Sequence, residues 1–290
     1  MGGEWLVRGG AAIALRFALP PLLIGLTVVG FGTSTPELLV SVDAALRGVP
    51  DIAIGNVVGS NIANILLIVG LTALVWPIRV SGGTLRRDLV VMLLAAVALI
   101  PLFIAGGIGR VTGAVLFAGL VGYLVHAYRS ASADTSDEPQ LMPRPLWKSL
   151  AFVAAGLVAL LFGARFLVDG AVSIARDFGV SEAFIGLSIV AVGTSLPELA
   201  TSLVAAFRRQ SEIAIGNVIG SNIFNVLCIL GLTAMIKPIP VAPRFASFDL
   251  PVMIAASVVL AVLLLTRPVI GRIAGAGLLV AYGGYLYAAF

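Results

Sequence analysis

The chain repeats itself at an offset of 161 residues, so any fold it adopts has to be assembled from two like halves. From Trp5 against Phe166 to Asp88 against Asp249 the halves align without a gap, and 27 of the 45 positions in 33–77 are identical to those in 194–238. The last apolar run of each half matches after a one-residue shift. There Ile108-Gly109-Arg110 stands opposite Ile270-Gly271-Arg272, and Gly122-Tyr123-Leu124 opposite Gly284-Tyr285-Leu286.

Each half is a series of apolar runs. The chain is 60% hydrophobic and 11% charged, with a mean hydropathy of +1.11, values that belong to a polytopic membrane protein. With about 20 residues needed per crossing, the runs fall at 5–16, 21–46, 52–76, 88–106 and 109–128, then at 147–175, 182–207, 213–236, 249–266 and 270–289. The first is too short to cross, while its repeat partner begins near Trp147, so a truncated first helix is expected. Five spans is an odd number, and two like halves in tandem must then lie upside down relative to each other. The expected fold is an all-α integral membrane protein, an inverted-repeat secondary transporter of ten helices in two sets of five. Residues 1–128 form the first repeat, 129–146 a linker and 147–290 the second repeat.

Charge sets the orientation. If the linker is cytoplasmic, eleven Lys and Arg lie on its side of the membrane (Arg16, Arg79, Arg86, Arg87, Arg129, Arg144, Lys148, Arg208, Arg209, Arg267, Arg272). The opposite side carries five (Arg47, Arg110, Arg176, Lys237, Arg244), as the positive-inside rule requires. The chain is therefore expected to be a multi-pass protein of the plasma (inner) membrane, solvated by lipid, with no nucleic-acid partner. A net charge of +4 held in short loops is a topology signal. Cys228 stands alone in an apolar run, His126 sits at the end of a span, and no nucleophile–base pattern is present, so enzyme chemistry and a resident cofactor are not expected.

Two motifs put polar atoms where a membrane span tolerates them least, and each occurs twice. The first is Gly32-Thr33-Ser34-Thr35-Pro36-Glu37, matched by Gly193-Thr194-Ser195-Leu196-Pro197-Glu198. Proline removes a backbone donor and opens the helix, freeing carbonyls near Gly30 and Ala191. Carbonyls, hydroxyls and a carboxylate are hard oxygen ligands of the kind that hold Ca²⁺, with about 6–8 donors, or Na⁺. The plainer reading is a capped helix start, with Thr33 or Ser34 as cap and Glu37 completing a capping box. An ionised acid at mid-membrane costs about 2.5 kcal/mol or more, and a mere cap would not need that placement.

The second motif is Gly55-Asn56-Val57-Val58-Gly59-Ser60-Asn61-Ile62-Ala63-Asn64, matched by 216–225. Asn56, Ser60 and Asn64 share one helix face, as do Asn217, Ser221 and Asn225. Ser60, Asn64, Ser221 and Asn225 are read as facing the acids. Asn56, Asn61, Asn217 and Asn222 are read as hydrogen-bonding neighbouring helices, and Asp88 and Asp249 as ordinary helix-start residues.

These paired motifs closely resemble the two repeats of the cation/calcium antiporter superfamily, the sodium/calcium exchangers, over almost the whole chain. The resemblance implies ten helices, alternating access and exchange of Ca²⁺ for Na⁺. It implies that Glu37 and Glu198 are shared by both ions, and that Thr33, Ser34, Thr194, Ser195, Ser60 and Ser221 ligate through hydroxyl or carbonyl oxygen. Gly30 and Ala191 would offer backbone carbonyls, and one chain suffices for the site. Some sodium-coupled members carry an aspartate where this chain has Asn225, which leaves coupling to two Na⁺ or to H⁺ open. A proton-coupled exchanger using the same glutamates and a passive cation channel are the alternatives.

Overall fold

The computed structural model describes residues 2–17, 21–79, 83–133, 145–177, 191–267 and 269–289. The first half runs α1 (Gly2–Arg16), α2 (residues 21–33), α3 (Thr35–Arg47), α4 (Pro50–Val75), α5 (Gly83–Ile104), β1 (Gly107–Ile108) and α6 (Arg110–Ala133). The second runs α7 (Leu146–Asp177), α8 (Ala191–Thr194), α9 (Leu196–Phe207), α10 (Ser211–Ile236), β2 (Ile239–Pro240), α11 (Phe245–Thr266) and α12 (Arg272–Ala289). By length and composition six of these helices can cross a membrane, and a seventh if α2 and α3 count as one bent span. The expected ten also takes in α1, α12, and α9 with residues 182–190, of which 182–190 lie outside the described residues.

The proline motifs bend the chain where the sequence locates them. Between α2 and α3 the axis turns by 43°. Ser34, at φ −84° and ψ 6°, is the joint, and Ser195 repeats it at φ −86° and ψ 5°. Pro36 and Pro197 then stand in the first turn of the following helices, where a missing N–H costs nothing. π-Helical turns, which mark functional segments in many helices, begin at Asn64 (Asn64–Val69) and at Asn225 (Asn225–Leu230), again 161 residues apart.

Contacts between the halves recur at the repeat offset. In the helix crossing at the centre, Asn61 bonds Asn225 while Asn64 bonds Asn222, so α4 and α10 run antiparallel. Their C-terminal ends therefore lie on opposite faces. On one face β1 pairs with β2, Ile108 against Ile239; on the other Ile78 pairs with Ile270. Each half's last helix crosses the other half's long central helix through glycine. A Cβ on Gly275 of α12 would lie 2.7 Å from the Gly70 carbonyl oxygen, and one on Gly113 of α6 would lie 2.6 Å from that of Gly231. Such small-on-small crossings let helices approach without any hydrophobic drive between them.

A large apolar cluster runs through α4, α5, α6, α10, α11 and α12, with residues such as Ile65, Leu99, Val218 and Leu260 at its centre. A second, smaller cluster joins α1 and α7 to the flanks of α2, α9 and α10 through Leu6, Val7, Val153, Ile24 and Ile213. The side chains of α1 and α7 thus pack as a body separate from the main core.

Helix α6 runs on to Ala133, because Arg129-Ser-Ala-Ser-Ala contains no breaker; residues 134–144 lie outside the described residues. One expectation needs correction. Asp88 and Asp249 are not solvated helix starts. The helices begin earlier than hydropathy indicates, and both acids are buried. Asp88 accepts from Arg87 Nε at 2.8 Å and Tyr123 Oη at 3.1 Å, and Asp249 accepts from Tyr285 Oη at 3.0 Å.

Candidate cation-binding site

The two bends bring Glu37 and Glu198 to the middle of the molecule, each only 1% exposed. The carboxylates are close enough to interact Coulombically. Ser34 does not cap its own helix; its hydroxyl crosses to the other half and donates to Glu198 Oε1 at 3.1 Å. The capping-box reading therefore fails for Ser34, because the hydroxyl finds a carboxyl partner across the repeat interface.

The remaining polar residues are held crosswise. Thr33 Oγ1 donates to Asn217 Oδ1 at 3.1 Å, and Thr194 Oγ1 reaches Asn56 Oδ1 at 3.5 Å. Asn217 Nδ2 donates to the Glu198 carbonyl at 3.1 Å and to Ser202 Oγ at 3.0 Å. Asn56 Nδ2 does the same to the Glu37 carbonyl at 3.0 Å and to Ser41 Oγ at 2.9 Å. Each asparagine thus ties a glutamate-bearing helix of its own half to a threonine of the other. Ser221 Oγ donates to the Gly30 carbonyl at 3.4 Å.

The symmetry is incomplete at one point. Ser195 Oγ, the counterpart of Ser34, donates to Ser60 Oγ at 3.3 Å, while Ser34 turns to a carboxylate. Ala191 stands at the start of α8, and its side chain lies outside the described residues. The other candidate residues converge on this centre: Thr33, Ser34, Ser60, Asn64, Ser195, Ser221 and Asn225 are buried, Gly30 is buried beside them, and Thr194 is half-buried.

Four buried oxygens of the candidate residues are left over. Glu37 Oε2, Glu198 Oε2, Asn64 Oδ1 and Asn225 Oδ1 have no hydrogen-bond partner among the described residues. All four are acceptors and occupy repeat-related positions. A buried acceptor without a donor costs roughly 1–3 kcal/mol, more when charged, and a cation is the partner that would satisfy all four together. The candidate residues supply carboxylate, amide, hydroxyl and backbone carbonyl oxygen. That is hard-cation chemistry.

Sequence reasoning passed over Ser41 and Ser202. Their signal was available: they match at the repeat offset, and each stands four residues after a motif glutamate on the same helix face; the structure buries both.

Comparison with known proteins places the chain in a family. The family model described as sodium/calcium exchanger protein matches residues 1–129 and 148–290. The putative antiporter CaxA of Alkalimonas amylolytica is 41% identical over 298 residues, covering 98% of this chain and 92% of its own. The sodium/calcium exchanger MaX1 of Methanosarcina acetivorans is 32% identical, covering 100% of this chain and 94% of its own. Among solved structures, the sodium-calcium exchanger NCX_Mj soaked with Na⁺ and Sr²⁺ matches with a TM-score of 0.85 at 34% identity, covering 99% of this chain and 93% of that one. A multi-pass helical membrane protein whose sequence and fold both match in this way belongs to the sodium/calcium exchanger protein family, a family of transporters and not of enzymes.

Proposed function

We propose that this protein is a membrane antiporter that exchanges Ca²⁺ for Na⁺ at one site shared by its two halves. The ligands in this reading are Glu37 and Glu198, the hydroxyl or carbonyl oxygens of Thr33, Ser34, Thr194, Ser195, Ser60 and Ser221, the amide oxygens of Asn64 and Asn225, and the carbonyls of Gly30 and Ala191. The observation that carries it is the set of four buried, unpartnered oxygens, two of them carboxylate, contributed in matching pairs by the two halves. The names of MaX1 and NCX_Mj support Ca²⁺ and Na⁺ as the exchanged pair.

Exchange follows from scarcity of charge compensation. Two carboxylates stripped of a cation in a low-dielectric centre are too costly to carry from one face to the other, so the site moves only when loaded. Na⁺ and Ca²⁺ compete for the same oxygens, and one leaves as the other enters. In this reading the first two helices of each half slide past the rest to expose the site alternately, and the packing of α1 and α7 in a cluster apart from the main core supports it. Residues 1–128 and 147–290 act in this proposal as the two inverted repeats, joined by a cytoplasmic linker.

The test is ⁴⁵Ca uptake by proteoliposomes under separately imposed Na⁺ and H⁺ gradients. Uptake driven by Na⁺ and abolished in Glu37→Gln and Glu198→Gln is the expected outcome. Uptake driven by the pH gradient alone would assign H⁺ as the counter-ion, and undiminished uptake by both glutamine variants would refute the site.

A further inference from the structure

Asn64 and Asn225 can serve a cation only with their carbonyl ends. An amide presents an acceptor on one side and two donors on the other, and a flipped side chain would turn N–H groups toward the ion. What holds them is a relay of three residues, built twice. Asn64 Nδ2 donates to Asn222 Oδ1 at 3.1 Å, and Asn222 Nδ2 in turn faces Met92 Sδ at 3.8 Å. In the mirror relay Asn225 Nδ2 donates to Asn61 Oδ1 at 2.9 Å, and Asn61 Nδ2 faces Met253 Sδ at 3.6 Å. Asn61 Nδ2 also reaches the Asn222 carbonyl at 3.3 Å, which ties the relays together at the α4–α10 crossing.

The direction of each relay is dictated from its far end. Thioether sulfur accepts and cannot donate, so Met92 and Met253 oblige Asn222 and Asn61 to point their NH₂ groups at sulfur. Their Oδ1 atoms must then face inward, where only a donor suits them. Asn64 and Asn225 supply that donor, and their own Oδ1 atoms are left unpartnered among the described residues. All four asparagines are buried, at 1% to 3% exposure, so water does not compete for these orientations.

We infer that Asn222 and Asn61 are positioning residues for cation binding: each locks the amide across the repeat interface so that carbonyl oxygen faces the ion, Asn222 for Asn64 and Asn61 for Asn225. This rests on the site proposed above and extends it to residues that touch no ion. The pairing is crossed, and neither positioning residue acts on the amide three residues away on its own helix.

A double-mutant cycle read as the Ca²⁺ half-saturation concentration tests it. Asn222→Ala is expected to raise half-saturation about tenfold, the scale of one lost orienting hydrogen bond. In an Asn64→Asp background the same change is expected to shift it less than about twofold, because a carboxylate has no donor face to misdirect. In an Asn225→Asp background the full effect should persist. Asn61→Ala should show the reverse pattern. Equal shifts in all backgrounds would overturn the inference, since a purely structural brace is indifferent to which atom Asn64 presents. If Asn222→Ala does not fold, the Asn61 arm decides alone. Failure of the underlying site is read separately, as normal transport by Glu37→Gln and Glu198→Gln.

Discussion

Replacing Gly220 by alanine should disable transport by moving a backbone, without touching any ligand. Gly220 lies where α10 passes α2, and a Cβ built there would sit 2.3 Å from the Leu26 carbonyl oxygen, 2.6 Å from its Cα and 2.8 Å from its carbonyl carbon. All three are main-chain atoms, so no side chain can swing aside. Ordinary contact begins at 3.4 Å, and α2 must therefore retreat by about 1 Å. That displacement carries Thr33 and Ser34 with it. Their bonds across the interface, to Asn217 Oδ1 and Glu198 Oε1, are both 3.1 Å long and would stretch to about 4 Å, beyond hydrogen-bond range. Overpacking of this kind costs about 1–3 kcal/mol, and the two lost bonds add roughly 0.5–1.5 kcal/mol each, the one to the carboxylate being the larger. A drop in thermal midpoint in detergent and at least a tenfold loss of Ca²⁺ uptake are expected together. Gly119→Ala is the control, since nothing lies within 4 Å of a Cβ there and the change favours helix. Wild-type uptake and stability in Gly220→Ala would refute the claim that this backbone contact sets the geometry of the site.

Two further outcomes separate buried from exposed polar contacts. Tyr123→Phe removes a donor from the fully buried Asp88, whose Oδ2 already has no partner among the described residues, and should cost about 1–3 kcal/mol in thermal unfolding; Tyr287→Phe, at a position 90% exposed, should cost nothing, and equal losses would contradict the assignment. Glu4 bridges Arg8 and Arg208 at a partly exposed surface, and Glu4→Gln should change stability by less than about 1 kcal/mol, with any effect vanishing in high salt; a large, salt-insensitive loss would show that the bridge matters more than its exposure implies.

Much of the site was legible because a membrane makes polar residues conspicuous. Glu37 and Glu198 stand out in apolar runs, and proline beside them announces a bend. What the motif could not reveal was the partner of each hydroxyl. Ser34 and Ser195 occupy equivalent positions with nearly identical backbone angles, yet one donates to a carboxylate and the other to Ser60. Local sequence sets the backbone, while side-chain choice answers to what the opposite half brings within hydrogen-bond reach. Asp88 and Asp249 were misread for a related reason: hydropathy places helix starts only to within a turn, and an acid one turn inside a helix meets tyrosines that lie 35 and 36 residues further along the chain.

Duplication, an apolar character throughout, the bends at Ser34 and Ser195, and the identity of the two acids are all decided by the order of residues, because each depends on local periodicity or on the chemistry of one short stretch. Helix periodicity separates the faces of Asn61 and Asn64, but which side chain each one meets is decided only by the assembled fold. Asn61 and Asn64 are the same residue type three positions apart on one helix. The antiparallel crossing of α4 and α10 turns one toward methionine sulfur and leaves the other's oxygen without a partner. Helix rotation is set by packing against distant segments, and no local pattern encodes it.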